Sequence, residues 1–176
     1  MTRSTEELLV TPRFKVIRHF ETARDGSIHT RDTVQHPGAV AILPLLDDGR
    51  VCLIRNFRIA VGRTLVELPA GTLEPGEEPG NTAARELAEE TGYVASSIEP
   101  LREFTMSPGI LNERMHLFLA RGLAAGPTAR EAGEKIDNLE VPWAEAMRMV
   151  DEGEIEDAKT LVGLLFYDRL RLAGRF

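Results

Sequence analysis

One segment, from Gly71 to Tyr93, constrains the fold of this 176-residue chain more than any other feature, and it reads GTLEPGEEPGNTAARELAEETGY. Its first part is a loop rich in glycine, proline and acids. Pro79 suits the first turn of a helix, because the N–H that proline lacks has no partner there. Gly92 is a typical C-terminal stop. The segment therefore predicts a tight loop followed by a helix from residue 79 to about 91.

The acids of this helix are placed on one side. Glu86, Glu89 and Glu90 are related by spacings of three and four residues, so their carboxylates project from one face. Each close pair of like charges costs roughly 0.2–0.5 kcal/mol, and a hard divalent cation such as Mg²⁺ would remove that repulsion. A row of glutamates is otherwise an ordinary solvated face. Arg85 and Glu77 bring opposite charges into reach, and we interpret them as an orienting pair.

Short strands and turns surround this segment. Strands are indicated between residues 14 and 33, and His36-Pro37-Gly38 then breaks the pattern. We therefore predict an N-terminal β-sheet segment, residues 1–37, followed by the main domain, residues 38–176. In the main domain we predict strands at 39–46, 51–54, 65–69, 104–106, 115–120 and 139–143, a polar loop at 122–135, and helices at 144–152 and 158–172. Strands and helices mixed around one central sheet indicate an α/β or α+β fold.

Composition narrows the class of partner. The formal charge of −7 disfavours nucleic acid or an anionic membrane as the main partner. No stretch is long enough to span a bilayer, and the N-terminus lacks the apolar core of a signal peptide, so we expect a cytoplasmic protein. Cys52 is the single cysteine and lies in an apolar run, which favours a packed strand residue over a nucleophile.

The spacing of the whole segment is more informative than the acids alone. Gly71 is followed after five residues by Glu77 and after seven more by Arg85-Glu86, then by Leu87, Glu89-Glu90 and Gly92-Tyr93. This resembles the Nudix box, and Tyr93 is a mild departure where an aliphatic residue is commoner. The resemblance implies an α/β/α sandwich with a mixed central sheet and a small N-terminal antiparallel sheet. It also implies metal-assisted hydrolysis of a nucleoside diphosphate linked to another group.

The resemblance implies roles for individual residues. The expected ligands of Mg²⁺, with Mn²⁺ as an alternative ion, are Glu86, Glu89, Glu90 and the carbonyl of Ala70. Metal ions there would neutralise the diphosphate and help to generate or position the attacking water. Glu86 and Glu90 are also candidate catalytic residues, because a glutamate of the box serves as the base in some family members.

The flanking sequence is similar to the ADP-ribose pyrophosphatase subgroup. Pro108 follows Tyr93 by fifteen residues within Ser107-Pro108-Gly109, and residues 65–71 and 157–160 also resemble that subgroup. An ordinary turn proline is the competing interpretation of Pro108. The subgroup implies hydrolysis of ADP-ribose to AMP and ribose 5-phosphate. It also implies a two-fold homodimer that the N-terminal sheet helps to form.

Three further side chains are substrate or base candidates on the same resemblance. Arg58 matches an arginine that contacts substrate phosphate, and a surface arginine paired with an acid is the alternative. Glu113 contacts the substrate or the metal cluster, or caps its loop. Glu134 is the expected general base, with Glu131, Asp137 and a box glutamate as alternatives.

Three other functions compete with ADP-ribose hydrolysis. The first is the same reaction on another nucleotide sugar, GDP-mannose above all. The second is a different Nudix substrate such as a nucleoside triphosphate or a diadenosine polyphosphate, against which the Pro108 segment argues. The third is a non-catalytic module that senses a nucleotide sugar, against which the intact set of Glu86, Glu89 and Glu90 argues.

Overall fold

The N-terminal strands form a sheet of their own. The computed structural model describes residues 3–127 and 136–176. Strands β1 (Arg3–Val10), β2 (Lys15–Thr22) and β3 (Ile28–Gln35) pair antiparallel in the order β1-β2-β3. We did not predict β1, because all eight of its residues are exposed and no alternation of buried and exposed side chains marks it.

The main body contains two further sheets. Its strands are β4 (Ala39–Pro44), β5 (Arg50–Arg58), β6 (Arg63–Glu67), β7 (Ala70–Thr72), β8 (Tyr93–Thr105), β9 (Arg114–Ala125) and β10 (Ile136–Pro142). One sheet has the order β7-β4-β9-β8, in which β4 and β9 run parallel and the other pairs run antiparallel. The other sheet, β10-β5-β6, is antiparallel. A mixed central sheet accompanied by small antiparallel sheets confirms the predicted fold class.

Three helices are present in the described part of the chain: α1 (Pro79–Thr91), α2 (Trp143–Asp151) and α3 (Ala158–Leu172). Both predicted ends of α1 are confirmed, with Gly92 left-handed at φ 76°. The bounds of α3 are also confirmed. No helix among residues 3–127 and 136–176 is long and apolar enough to cross a membrane.

Several predicted strand bounds were wrong: β5 extends to Arg58 beyond the predicted 51–54, and β6 spans Arg63–Glu67 rather than 65–69. Residues 122–125 of the predicted loop belong to β9, which continues to Ala125 and pairs with the start of β8, and residues 128–135 lie outside the described part of the chain. The strand predicted at 104–106 is the end of a 13-residue strand that starts at Tyr93. A register shift between Pro100 and Arg102 interrupts the pairing of β8 with β9, and it obscures the strand pattern in the sequence.

Strand β4 forms the centre of the sandwich. Its side chains alternate between two faces, as the geometry of a strand requires. Val40 and Ile42 belong to an apolar cluster with Leu87 of α1. Ala41 and Leu43 belong to a second cluster on the opposite face, which includes Leu164 of α3. Helix α1 is thereby fixed against one face of the sheet, with its carboxylates beside β7.

The N-terminal sheet contacts the main body through β3. The N–H of Val34 donates to the carbonyl of Ile110 at 2.7 Å, and the N–H of Asn112 donates to the carbonyl of Val34 at 3.2 Å. The N–H of His36 donates to Oδ1 of Asn112 at 2.7 Å. The segment that follows Pro108 therefore lies along β3. The domain boundary between residues 37 and 38 stays a prediction.

Candidate active site

Glu90 is the most deeply buried acid of α1. Its side chain lies against β7, and the residue is only 3% exposed. Oε2 of Glu90 accepts a hydrogen bond from the backbone N–H of Ala70 at 2.9 Å. A buried carboxylate needs such partners, because desolvation without them is costly. This contact places Glu90 next to Ala70. Both residues are predicted metal ligands, Ala70 through its carbonyl oxygen.

Gly71 leaves room for a second acid of the same helix. A β-carbon built on Gly71 would lie 1.9 Å from both Cδ and Oε1 of Glu86. Real atoms do not approach so closely, so any side chain at position 71 would displace the Glu86 carboxyl group. Gly71 therefore allows α1 to place Glu86 directly against the backbone of β7.

Arg85 joins the remaining acids. Its Nη1 donates to Oε1 of Glu86 at 2.8 Å and to Oε2 of Glu89 at 3.0 Å. Its Nη2 donates to Oε2 of Glu77 at 3.1 Å. The hydrogen bond to Glu77, followed by the charge of Glu86, raises the pKa of Arg85. These contacts agree with the interpretation of Arg85 and Glu77 as an orienting pair, and they neutralise part of the negative charge on this face.

The oxygen atoms on this face are of the type that binds a hard divalent cation, but their positions do not form a metal-binding site. Glu86, Glu89, Glu90 and the carbonyl of Ala70 supply only oxygen donors, which Mg²⁺ prefers. Within residues 3–127 and 136–176, no group of three or more His, Cys, Asp or Glu side chains converges closely enough to hold one ion. Arg85 engages two of the three carboxylates. To ligate a metal ion, Glu86 and Glu89 would have to turn away from Arg85.

A second charged network lies at the end of β6, just before β7. Glu67 is 1% exposed. Arg58 donates two hydrogen bonds to its carboxylate, from Nε to Oε1 at 2.8 Å and from Nη2 to Oε2 at 2.6 Å. Nζ of Lys159, from the first turn of α3, donates to the same Oε2 at 2.5 Å. It also lies 2.9 Å from Oδ2 of Asp157.

This network ties α3 to the strand that leads into the site. Asp157 caps α3 by accepting from the N–H and the hydroxyl of Thr160, at 3.0 and 2.6 Å. The Thr160 hydroxyl oxygen in turn accepts from the N–H of Leu68 at 2.8 Å. Burial alone would raise the pKa of Glu67, but the hydrogen bonds from Arg58 and the charge of Lys159 outweigh it and hold that pKa below its ordinary value. Glu67 is therefore a buried anion compensated by two cations.

The other predicted residues that the structure describes lie outside α1. Glu113 lies beside His36, with Oε1 3.5 Å from Nδ1, at the junction of β3 with the segment that follows Pro108. The pKa of Arg58 is raised mainly by its hydrogen bonds to Glu67, and the charge of Glu90 of the box adds to this effect. Glu134 and its alternative Glu131 lie outside the described residues. The remaining alternative, Asp137, is exposed on β10.

Sequence reasoning did not assign Lys159, Asp157 or Thr160 to any role. Residues 157–160 resembled the subgroup, but no pattern in the sequence indicated a contact between Lys159 and Glu67, 92 residues away. Cys52 is buried, as predicted, and burial raises the pKa of its thiol to about 12. A thiol with that pKa is a poor nucleophile at neutral pH.

A cavity of about 810 Å³ lies elsewhere in the molecule. The N-terminal sheet lines it, with His19, Phe20, His29 and Arg31 among the lining residues. No residue of α1 lies in its wall. The volume of this cavity would favour the N-terminal sheet as the reaction site. The chemistry of the side chains instead favours the carboxylate face of α1.

Comparison with known proteins finds similarity over most of the chain. A family model described as the NUDIX domain matches residues 35–162. The chain is 42% identical over 144 residues to an ADP-ribose pyrophosphatase of Bacillus subtilis (strain 168), covering 81% of this chain and 78% of that protein. It is 35% identical over 157 residues to a GDP-mannose pyrophosphatase of Klebsiella pneumoniae, covering 82% and 79%.

A solved structure described as that of an ADP compounds hydrolase has the same fold. It superposes with a TM-score of 0.83 over 98% of this chain and 95% of that chain, at 22% sequence identity. At that level of identity the likeness concerns the fold alone. It agrees with the mixed sheet and the flanking helices described above.

Proposed function

The chain belongs to the Nudix hydrolase family, and from that membership we propose that it hydrolyses the diphosphate of ADP-ribose to AMP and ribose 5-phosphate. The observation that carries the proposal is the carboxylate face of α1. Gly71 leaves space for the carboxyl group of Glu86 against β7. The N–H of Ala70 donates a hydrogen bond to Glu90 at the same strand. Such a face, built from acids and lacking a nucleophilic serine or cysteine, suits a reaction in which water attacks phosphorus.

We propose Glu86, Glu89, Glu90 and the Ala70 carbonyl as the groups that hold Mg²⁺. When bound, the ion supplies charge neutralisation for the diphosphate and acidifies a bound water. The chain itself contributes position. Arg85 is the counter-ion of Glu86 and Glu89 until they are needed as ligands, and Arg58 offers a planar guanidinium to phosphate oxygens. We assign the general base to Glu134.

The choice of ADP-ribose over other nucleotide sugars rests on sequence similarity. The ADP-ribose pyrophosphatase of B. subtilis is 42% identical to this chain, against 35% for the GDP-mannose pyrophosphatase of K. pneumoniae. The segment around Pro108 also resembles the ADP-ribose pyrophosphatase subgroup. GDP-mannose is the second candidate, because that relative matches 82% of this chain.

A substrate panel separates the two candidates. Purified protein with Mg²⁺ is incubated with ADP-ribose, GDP-mannose, a nucleoside triphosphate and a diadenosine polyphosphate, and the products are separated by ion-exchange chromatography. We expect AMP and ribose 5-phosphate from ADP-ribose at the highest kcat/KM. Intact ADP-ribose together with GMP and mannose 1-phosphate from GDP-mannose would assign the second substrate. Tight binding without turnover of any compound would instead indicate a sensing module.

We further propose that the active form is a homodimer in the cytoplasm. The N-terminal sheet exposes large apolar side chains at Leu8, Leu9, Val10, Phe14 and Ile28, and a second copy of the chain would cover such a surface. Light scattering after size-exclusion chromatography should give twice the 19.5 kDa mass of the chain. A single-chain mass at micromolar concentration would contradict the dimer. Cell fractionation tests the location.

A further inference from the structure

Lys159 is a buried cation that the proposed reaction does not use. Its side chain is 9% exposed and lies between two carboxylates, Glu67 and Asp157. A lysine is seldom buried unless it is paired, because its ammonium group loses hydration. Here the pairing is double, and Lys159 shares Oε2 of Glu67 with Arg58.

The four charges of this network are balanced in pairs. Glu67 and Asp157 are the two anions, and Arg58 and Lys159 are the two cations. With Lys159 in place, Glu67 has a counter-ion even when Arg58 points elsewhere. Without Lys159, Arg58 would be the remaining cation on a carboxylate that is 1% exposed. Removing Arg58 from that carboxylate would then leave a buried charge uncompensated, which is strongly unfavourable.

Arg58 is the most accessible member of the network. Its side chain is 40% exposed, whereas those of Glu67, Lys159 and Asp157 are 1%, 9% and 15% exposed. Its Nε and Nη2 donate to Glu67. A guanidinium has five N–H donors in all, so Arg58 has donors left for a phosphate. The charge of Glu90, a residue of the box, also acts on Arg58.

We propose that Lys159 is a positioning residue for the diphosphate: it keeps Glu67 charge-compensated, so that Arg58 transfers from Glu67 to the phosphate oxygens when substrate binds. The proposal rests on the proposed function, and it deepens that function by assigning what controls Arg58. Lys159 does not touch the substrate. It sets how tightly Glu67 holds Arg58, and through Arg58 it sets the affinity for the diphosphate.

Steady-state kinetics of Lys159→Met with ADP-ribose test the proposal. Arg58 should be held on Glu67, so KM should rise about tenfold while kcat changes less than threefold, as expected for lost binding without lost transition-state stabilisation. Adding Glu67→Gln should return KM to within threefold of wild type, because no buried anion then restrains Arg58. Lys15→Met is the control, since Lys15 pairs with Glu7 in an exposed ion pair. Unchanged KM in the single variant, or no recovery in the double variant, would overturn the proposal.

The single variant Glu67→Gln provides a test that does not require Lys159→Met to fold. It keeps an oxygen acceptor for Arg58 and leaves Lys159 paired with Asp157. KM should stay at or below the wild-type value. A KM raised more than threefold would mean that the carboxylate serves to hold Arg58 for the substrate rather than to restrain it, and the proposal would fail.

A measurement without substrate separates this proposal from the proposed function. The coupling free energy between Arg58 and Glu67 is obtained from a double-mutant cycle, Arg58→Met with Glu67→Gln, by urea unfolding. The same cycle is repeated with Lys159→Met. The coupling should be larger when Lys159 is absent, and equal coupling would contradict its control of Arg58. If wild-type protein leaves ADP-ribose intact, the proposed function fails, while the two cycles still decide the role of Lys159.

Discussion

The carboxyl group of Glu86 occupies the space that a side chain on Gly71 would need. A β-carbon at position 71 would lie 1.9 Å from Cδ of Glu86. The backbone at this position does not require the left-handed conformation, and Gly71 is absent from the glycines with positive φ. The neighbouring acid therefore explains the glycine, because strand β7 must leave space for the Glu86 carboxyl group of α1.

Replacing Gly71 with alanine should lower activity far more than stability. The carboxyl group of Glu86 is the flexible end of its side chain, so the loss of folding free energy should lie near the lower end of the range for overpacking, about 1 kcal/mol. A displaced carboxylate should nevertheless reduce kcat by about 100-fold. Enzyme kinetics and thermal unfolding of Gly71→Ala measure the two effects.

Gly80 supplies the matched control. It lies in the first turn of α1, and a β-carbon there would meet no atom within 4 Å. Gly80→Ala should therefore leave kcat unchanged and stability equal or slightly higher, because alanine has the better helix propensity. Equal activity of Gly71→Ala and wild type would show that the position of Glu86 is unimportant for turnover.

Arg58→Ala should weaken substrate binding. Loss of a charge-assisted phosphate contact should raise KM about tenfold or more, and Lys159 should keep the buried Glu67 compensated, so that the protein still folds. Arg63→Ala is the comparison on the same β5–β6 hairpin, since Arg63 pairs with the exposed Glu156. The same KM for both variants would remove Arg58 from the substrate site.

Tyr93→Phe should reduce stability through a hydrogen bond that spans two sheets. The phenol of Tyr93 donates to Glu140, which also binds Arg50. Removing this bond should cost about 1 kcal/mol at neutral pH. The contact explains a tyrosine where the Nudix box usually has an aliphatic residue. Urea unfolding of the two proteins measures the difference.

The pH dependence of that difference has a definite sign. The hydrogen bond to Glu140, together with burial, raises the pKa of Tyr93 from 10.0 to about 12 in the folded protein. The protonated phenol is thus favoured by folding, so its contribution is complete below pH 10 and is lost as the pH rises toward 12. The stability gap between wild type and Tyr93→Phe should shrink over that range. A gap that stays constant would exclude the bond to Glu140 as its cause.

Glu134→Gln should abolish most turnover while binding persists. A general base contributes about 100-fold or more to the rate, whereas neither Mg²⁺ nor the nucleotide needs that proton acceptor to bind. Calorimetric titration of Mg²⁺ and of a non-hydrolysable ADP-ribose analogue measures binding beside the kinetics. Full activity would move the base role to Glu131, Asp137 or an acid of the box.

The features that the sequence predicted depend on local signals, and those that it did not predict depend on tertiary contacts. Pro79 and Gly92 mark the ends of α1 because each acts on the backbone at its own position. The location of Glu86 and Glu90 on one face of α1 follows from their spacing of four residues alone. The pair of Glu67 and Lys159 joins residues 92 positions apart, so it exists only after β6 and α3 have packed. No local pattern predicts such a contact.

The most direct measurement is the turnover of ADP-ribose by wild type and Glu90→Gln as Mg²⁺ is titrated. The glutamine can still accept the hydrogen bond that Glu90 receives from Ala70, so the fold should persist, as thermal unfolding verifies. We predict that wild type releases AMP and ribose 5-phosphate in proportion to bound Mg²⁺ and stops when the ion is chelated. Glu90→Gln should be slower by ~100-fold or more. Equal rates for the two folded proteins would contradict catalysis by the carboxylate face of α1.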